Sequence, residues 1–252
     1  MAYTGFTAAS RPQKKKRSPF PVLIILLSAT LLAGGFLAGR SWTPAPVSNV
    51  HAFTAPVQAS AKPDTGDWKL LLVNGRHPLP DGFAEPELTK LRNGQHIDSR
   101  VYPALQKMMD AAREEGLKPL ICSSFRPAEK QAALYEKKVR SYLAEGYGRQ
   151  AAEEQAAQWV ARPGTSEHQS GLAVDIVAED YQLLDEAQQH TAVQKWLMAH
   201  CAEYGFILRY PTDKSELTGV GFEPWHYRFV GREAAQEIME KGICLEEYLG
   251  AS

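Results

Sequence analysis

The stretch SEHQSGLAVDIV, residues 166–177, joins a polar loop to an apolar segment and carries two potential metal ligands, His168 and Asp175. These two residues are seven positions apart, and on one continuous strand they would point to opposite faces and lie far from each other. Gly171 lies between them and permits a turn, so we expect the chain to double back. His168 then lies in the loop, and Asp175 projects from a buried strand over residues 172–177.

The second informative segment is EPWH, residues 223–226, which contributes His226. Asp175 is flanked on both sides by apolar residues, and a carboxylate in such surroundings is costly to bury unless it has a partner such as a metal ion. Two imidazoles and one carboxylate form a full set of protein ligands for a catalytic zinc, with the fourth position left to water. A single histidine is more often structural, so this prediction depends on His168, Asp175 and His226 occurring together.

Two further residues give the predicted metal site a chemistry. Glu223 lies three residues before His226, where its carboxylate can accept a proton from that water as the water attacks a carbonyl. The alternative for Glu223 is a surface acid at the start of a strand. Arg126 ends the segment SSFR, between a predicted strand and a predicted helix. Its guanidinium could bind a substrate carboxylate or stabilise an oxyanion, although an isolated arginine is usually a solvated surface residue.

Three motifs carry a family resemblance: Ser123-x-x-Arg126, Ser166-x-His168-x-x-Gly171-x-Ala173-x-Asp175 and Glu223-x-x-His226. In this order they resemble the motifs of the VanY-type zinc D-alanyl-D-alanine carboxypeptidases, a family that includes bacterial L,D-carboxypeptidases. The resemblance spans residues 70–232. It implies a hydrolase that uses one Zn²⁺ to remove the terminal D-alanine from peptidoglycan stem peptides. The implied roles are metal ligation by His168, Asp175 and His226, general-base catalysis by Glu223, oxyanion or carboxylate binding by Arg126, and substrate contact by Gln131, Ser166 and Tyr210.

Other functions stay open at this point. An L,D-carboxypeptidase acting on tetrapeptide stems would use the same chemistry. A non-catalytic, zinc-containing module that binds the cell wall would need no base, and Glu223 therefore argues against it. A membrane-anchored sensor has no support beyond the N-terminal segment, and the sequence does not indicate an oligomeric state.

The charge of the chain is unevenly distributed. No acidic residue precedes Asp64, whereas the body from Asp64 onward has 21 basic and 29 acidic residues, a net charge of -8. This balance disfavours a nucleic-acid partner, which requires a basic face. The basic cluster KKKR, residues 14–17, directly precedes an uncharged apolar run from Phe20 to Gly39, which has the length that a bilayer requires.

This pattern predicts a membrane protein with an exported body. We expect a cytoplasmic basic tail over residues 1–19, a transmembrane signal anchor over 20–39, an extracytoplasmic linker over 40–66 and a zinc carboxypeptidase domain over 67–252. A cleaved signal peptide, or a buried helix of a soluble protein, is the alternative for the apolar run.

Apolar periodicity and turn residues predict a single α+β domain in which helices pack on a small, mostly antiparallel sheet. The predicted helices cover residues 101–115, 128–145, 151–160, 193–204 and 233–241, and the predicted strands cover 69–73, 120–123, 172–177, 206–209 and 225–229. The three cysteines, Cys122, Cys201 and Cys244, are odd in number and form no CxxC pair. We expect them to be small buried residues rather than metal ligands.

Overall fold

The computed structural model describes residues 66–251. The predicted basic tail, transmembrane segment and nearly all of the linker lie outside the described residues. Within residues 66–251, no helix is both long enough and apolar enough to cross a bilayer.

A four-stranded sheet forms the centre of the described domain, and its strands follow the spatial order β3-β4-β6-β5. The strands are β3 (Pro119–Ser123), β4 (Ala173–Ala178), β5 (Phe206–Leu208) and β6 (His226–Phe229). Every pairing between them is antiparallel. A separate antiparallel hairpin of β1 (Leu88–Lys90) and β2 (His96–Asp98) precedes the sheet. The predicted α+β class and the antiparallel sheet are therefore confirmed, although the hairpin was not predicted.

Helices cover much of the remaining chain. They are α1 (Tyr102–Glu114), α2 (Ala128–Ala144), α3 (Arg149–Ala157), α4 (Ala192–His200), α5 (Ser215–Thr218), α6 (Arg232–Lys241) and α7 (Leu245–Leu249). The five predicted helices are confirmed within a few residues, and α4 continues as the short 3-10 helix Cys201–Tyr204. The four-residue α5 and the five-residue α7 were not predicted, because helices this short show little apolar periodicity.

The hydrophobic core lies between β4 and the helices α1 and α4. All six residues of β4 are buried, which explains why this strand is apolar almost throughout. Helix α1 contributes Leu105, Met108 and Met109 to the same cluster, in accordance with the predicted helical period. A smaller cluster between α2 and α3 contains Tyr135 and Val139.

One predicted element is wrong. The sequence predicts a strand over residues 69–73, but the chain forms a 3-10 helix at Trp68–Leu70 and then has no regular secondary structure over residues 71–73. The reason is tertiary, since the guanidinium of Arg228 donates hydrogen bonds to the carbonyl oxygens of Lys69 and Leu71. A side chain thus occupies acceptors that a neighbouring strand would otherwise use.

The three cysteines are free thiols. Cys201 and Cys244 are buried, as predicted, and Cys122 is half-buried on β3. None belongs to the cluster of potential metal ligands described below.

Candidate metal centre

The pairing of β4 with β6 brings two of the predicted ligands together. Asp175 and His226 are direct partners across these antiparallel strands, and such partners project from the same face of a sheet. Nδ1 of His226 lies 3.0 Å from Oδ1 of Asp175. The strand register therefore brings together two residues that are 51 positions apart in the sequence.

His168 reaches the same place from a tight turn. It lies in the 3-10 helix Glu167–Ser170, which ends at Gly171 with φ +73°. A Cβ atom on Gly171 would lie 3.1 Å from Cγ of Pro86 and 3.2 Å from the backbone nitrogen of Asp98. Glycine is thus required here both for the left-handed conformation and for space. The predicted reversal of the chain at Gly171 is confirmed.

The ring of His168 is fixed by its two nitrogens. Nδ1 lies 2.8 Å from the carbonyl oxygen of Ser124, and because a carbonyl can only accept, Nδ1 is the donor. The lone pair is then on Nε2, which lies 3.2 Å from Oδ2 of Asp175. This is the arrangement in which a backbone carbonyl holds a metal-binding histidine in one tautomer.

The three residues fit a zinc ion by their chemistry. His168, Asp175 and His226 are all buried, and each offers a ligand atom within 4.8 Å of the others. Two imidazoles and one carboxylate leave a coordination position open, as catalytic zinc sites do. The charges also favour a cation. Despite burial, the two histidines hold the pKa of Asp175 well below its usual range. Despite the same burial, Asp175 and Glu167 raise the pKa of His226 to about 9.

Glu223 lies beside this group, in the turn before β6. Its Oε2 is 3.8 Å from Nδ1 of His226, so its carboxylate is close to the side of the ring that faces Asp175. Burial raises the pKa of Glu223 to about 8, and Asp175 adds to the increase, while His226 and Arg126 oppose it. The carboxyl group can therefore exchange a proton near neutral pH.

Arg126 follows β3 and is held from two sides. Its Nη1 donates to Oε1 of Gln131 at 2.8 Å, and its Nη2 donates to Oγ of Ser123 at 2.8 Å. Nη2 also lies 4.0 Å from Oδ2 of Asp175. Burial lowers the pKa of Arg126, but Asp175 and Glu223 act in the opposite direction, and a guanidinium remains charged in proteins. The structure thus places a fixed positive group next to the predicted ligands.

A cavity of about 490 Å³ connects these side chains, and its wall includes all three predicted ligands, Glu223 and Arg126. Of the three predicted substrate contacts, Ser166 and Tyr210 line the cavity. The ring of Tyr210 stacks at a tilt over His226, with 4.8 Å between centroids. The wall also includes Trp159 and Leu184, two of the four large apolar side chains that the described residues expose to solvent.

Gln131 differs from the other two predicted contacts because it is fully buried and its amide is occupied. It accepts the hydrogen bond from Arg126 and donates one to the carbonyl oxygen of Ala161 at 2.6 Å. In this structure Gln131 orients Arg126, and its direct contact with a substrate stays a prediction.

A buried charge network behind the site was missed by the sequence reasoning. It consists of Glu167, Arg209, Arg228 and Glu246, all with fully buried side chains. The sequence did contain a signal for this network. Arg209 directly follows the apolar strand β5, and Arg228 lies within β6. An arginine in a buried strand needs a charged partner, because arginine is almost never fully buried unless it is paired.

The comparisons with known proteins agree with this geometry. A family model described as VanY, D-alanyl-D-alanine carboxypeptidase, matches residues 94–232. A D-alanyl-D-alanine carboxypeptidase of Enterococcus faecalis is 47% identical over 191 residues, which cover 76% of this chain and 69% of the relative.

Two solved structures extend the comparison. The Zn(II) complex of a mutant VanY D,D-pentapeptidase from a VanB-type vancomycin resistance cassette is similar with a TM-score of 0.66 and 48% identity, covering 73% of this chain and 99% of that one. The LdcB LD-carboxypeptidase is similar with a TM-score of 0.60 and 34% identity, covering 71% of this chain and 85% of that one.

Proposed function

This chain belongs to the VanY family of D-alanyl-D-alanine carboxypeptidases, and we propose that it removes the terminal D-alanine from peptidoglycan stem peptides with one zinc ion. His168, Asp175 and His226 hold the ion. The observation that carries the proposal is that this buried group of ligands lines the same cavity as Glu223 and Arg126. The metal ligands, a proton acceptor and an anion-binding group can thus act together on the C-terminal end of one bound peptide.

Glu223 performs the proton transfers. A zinc ion at this site supplies Lewis acidity, which makes water nucleophilic near neutral pH. The Glu223 carboxylate accepts a proton from the attacking water and returns it to the departing amine of D-alanine. A cation nearby favours the ionised carboxylate, and this counteracts the burial that raises the pKa of Glu223 to about 8.

Arg126 recognises the negative charge of the substrate. Ser123 and Gln131 fix its guanidinium, so little side-chain entropy is lost when it binds an anion. The anion is the terminal carboxylate of the peptide or the oxyanion that forms at the attacked carbonyl. Ser166 and Tyr210 line the same cavity, and contact with the substrate is part of this proposal.

The test is product analysis with the full chain in detergent. A pentapeptide stem ending in D-alanyl-D-alanine and a tetrapeptide stem ending in one D-alanine are incubated with protein, with and without a zinc chelator. We expect release of D-alanine from the pentapeptide, loss of release with chelator and recovery on adding zinc. Activity that is unaffected by the chelator would refute the metal mechanism, and cleavage of neither peptide would refute the activity.

The same assay tests the second candidate, an L,D-carboxypeptidase. This candidate is favoured by the structural similarity to the LdcB LD-carboxypeptidase. The higher identity to the VanY enzyme supports the first candidate. Preferential cleavage of the tetrapeptide would reverse this order. A non-catalytic wall-binding module is less consistent with Glu223 in the cavity, because a structural zinc needs no base.

The cellular location belongs to the same proposal. The uncharged run from Phe20 to Gly39, preceded by the cluster KKKR, supports a single transmembrane anchor with the catalytic domain on the extracytoplasmic side. Peptidoglycan lies on that side of the membrane. Protease added to intact spheroplasts should digest the domain, and a protected domain would contradict this placement.

A further inference from the structure

Glu167 contacts the ring of His226 at the nitrogen opposite the one that faces Asp175. Its Oε2 is 3.3 Å from Nε2 of His226, whereas Nδ1 of the same ring faces Asp175 at 3.0 Å. The side chain of Glu167 is fully buried and contacts His226, but Glu167 is not itself one of the three grouped ligands. A carboxylate that accepts a hydrogen bond from a metal-binding histidine acts on the metal through that histidine.

The two oxygens of Glu167 have different partners. Oε1 accepts hydrogen bonds from Nε of Arg209 and from Nη1 of Arg228, both at 2.7 Å. These two guanidinium groups are fully buried as well. They hold Oε1 in place and leave Oε2 to the histidine. Since a guanidinium has no acceptor, only an oxygen can occupy the position between the two arginines.

The arginines are themselves fixed by distant parts of the domain. Arg209 makes a two-point contact with Glu246 of α7, at 2.6 and 2.9 Å. Glu246 also accepts a hydrogen bond from Asn74 at 2.9 Å. Arg228 donates to carbonyl oxygens of residues 69 and 71. Segments at both ends of the described domain thus contact the two arginines, whereas it is Arg209 and Arg228 that bond to Oε1 of Glu167.

We propose that Glu167 is a positioning residue that accepts the Nε2–H hydrogen bond of His226 and so holds its imidazole in the tautomer whose Nδ1 lone pair faces the metal position. This inference rests on the proposed zinc site but concerns a residue outside its ligands. His168 achieves the same result with the carbonyl oxygen of Ser124, through its opposite nitrogen. The two histidines thus present different ring nitrogens, each selected by an acceptor behind the ring.

The Glu167→Gln variant gives a sharp test because the network dictates which way the amide points. The amide oxygen must take the place of Oε1 between Arg209 and Arg228. The amide NH₂ then faces Nε2 of His226 and requires an acceptor there. The proton of the neutral ring moves to Nδ1, which blocks the nitrogen that faces Asp175. We expect zinc affinity to fall about 10–100-fold, the range that is typical when such an outer partner is lost.

Glu246→Gln is the matched control. It removes one negative charge from the same buried network, but Glu246 contacts Arg209 and Asn74 and not His226. Both variants and the unmodified full chain are titrated with zinc against a chromophoric chelator, and their thermal unfolding is measured with chelator present. We expect both variants to unfold at lower temperature, and only Glu167→Gln to lose zinc affinity. Equal losses of affinity, or none in Glu167→Gln, would overturn the proposal.

A measurement on the unmodified chain covers the case in which Glu167→Gln fails to fold. In the zinc-loaded full chain labelled with ¹⁵N-histidine, a long-range ¹H–¹⁵N spectrum identifies the protonated nitrogen of each ring. The His226 signals are assigned through the nearby ring of Tyr210. We expect the proton on Nε2, and zinc bound at Nε2 would refute the assignment. Neither measurement depends on hydrolysis, so a failure here is separate from a failure of the proposed activity.

Discussion

Replacing Gly171 with alanine adds only one methyl group, but it should destabilise the fold and weaken zinc binding. Gly171 has φ +73°, and the left-handed conformation costs an L-residue about 1–2 kcal/mol. The new Cβ would also lie 3.1 Å from Pro86 and 3.2 Å from the backbone nitrogen of Asp98. Crowding of this kind in a packed region costs a further 1–3 kcal/mol or so. The expected destabilisation is about 2–5 kcal/mol.

Gly219 provides a matched control because its φ is +75° and a Cβ there would have nothing within 4 Å. Gly219→Ala should therefore show only the conformational cost, about 1–2 kcal/mol. For a domain of this size, each kcal/mol lowers the Tm by about 2–4 °C. Thermal unfolding of the two variants separates the cost of close approach from the cost of the backbone conformation.

The Gly171 variant should also lose part of its response to zinc. Gly171 lies between His168 and Asp175, so relief of the crowding shifts the ligands relative to each other. A ligand that binds only the folded state raises the Tm, and at a fixed ligand concentration the increase grows with the logarithm of its affinity. We expect zinc to raise the Tm of Gly219→Ala as much as that of the unmodified chain, and the Tm of Gly171→Ala less. Equal Tm values, or a full response to zinc in Gly171→Ala, would refute the reasoning.

Three further predictions follow from the same geometry. Glu223→Gln should reduce D-alanine release about 10²–10⁴-fold and keep one zinc per chain by metal analysis; retained activity would remove its role as base. Arg126→Lys should lose the rigid fork that matches a carboxylate, so kcat/KM should fall, and capping the peptide carboxylate as an amide should then cost the variant less than the unmodified chain; an equal cost in both would favour the oxyanion role. Despite burial, the charge of Arg209 lowers the pKa of Glu246, so Glu246 stabilises the fold above its unfolded pKa, and this stability is lost as pH falls through the lower folded value. Denaturant unfolding should show Glu246→Gln less stable than the unmodified chain at pH 7, with the difference disappearing at acidic pH; a difference that persists there would contradict the ionised role.

The sequence predicted the regular elements well where a local pattern determines them. Helix α1 shows an apolar residue on every turn, and β4 is an apolar run that follows a glycine turn. The strand predicted over residues 69–73 was wrong because its carbonyl oxygens are bound by Arg228, which is more than 150 positions away in the sequence. A local pattern contains no information about such a partner.

The sequence by itself determined the donor chemistry of this protein. Two histidines, one aspartate in an apolar segment and a glutamate near the second histidine already indicate a hydrolytic zinc site, because three such ligands leave a position for water and the glutamate can act as its base. Only the tertiary structure decided how those donors are arranged. The β4–β6 register pairs Asp175 with His226. The carbonyl oxygen of Ser124 faces Nδ1 of His168, whereas the carboxylate of Glu167 faces Nε2 of His226. These acceptors come from separate segments, and hydrogen bonds between segments depend on the distances that folding creates.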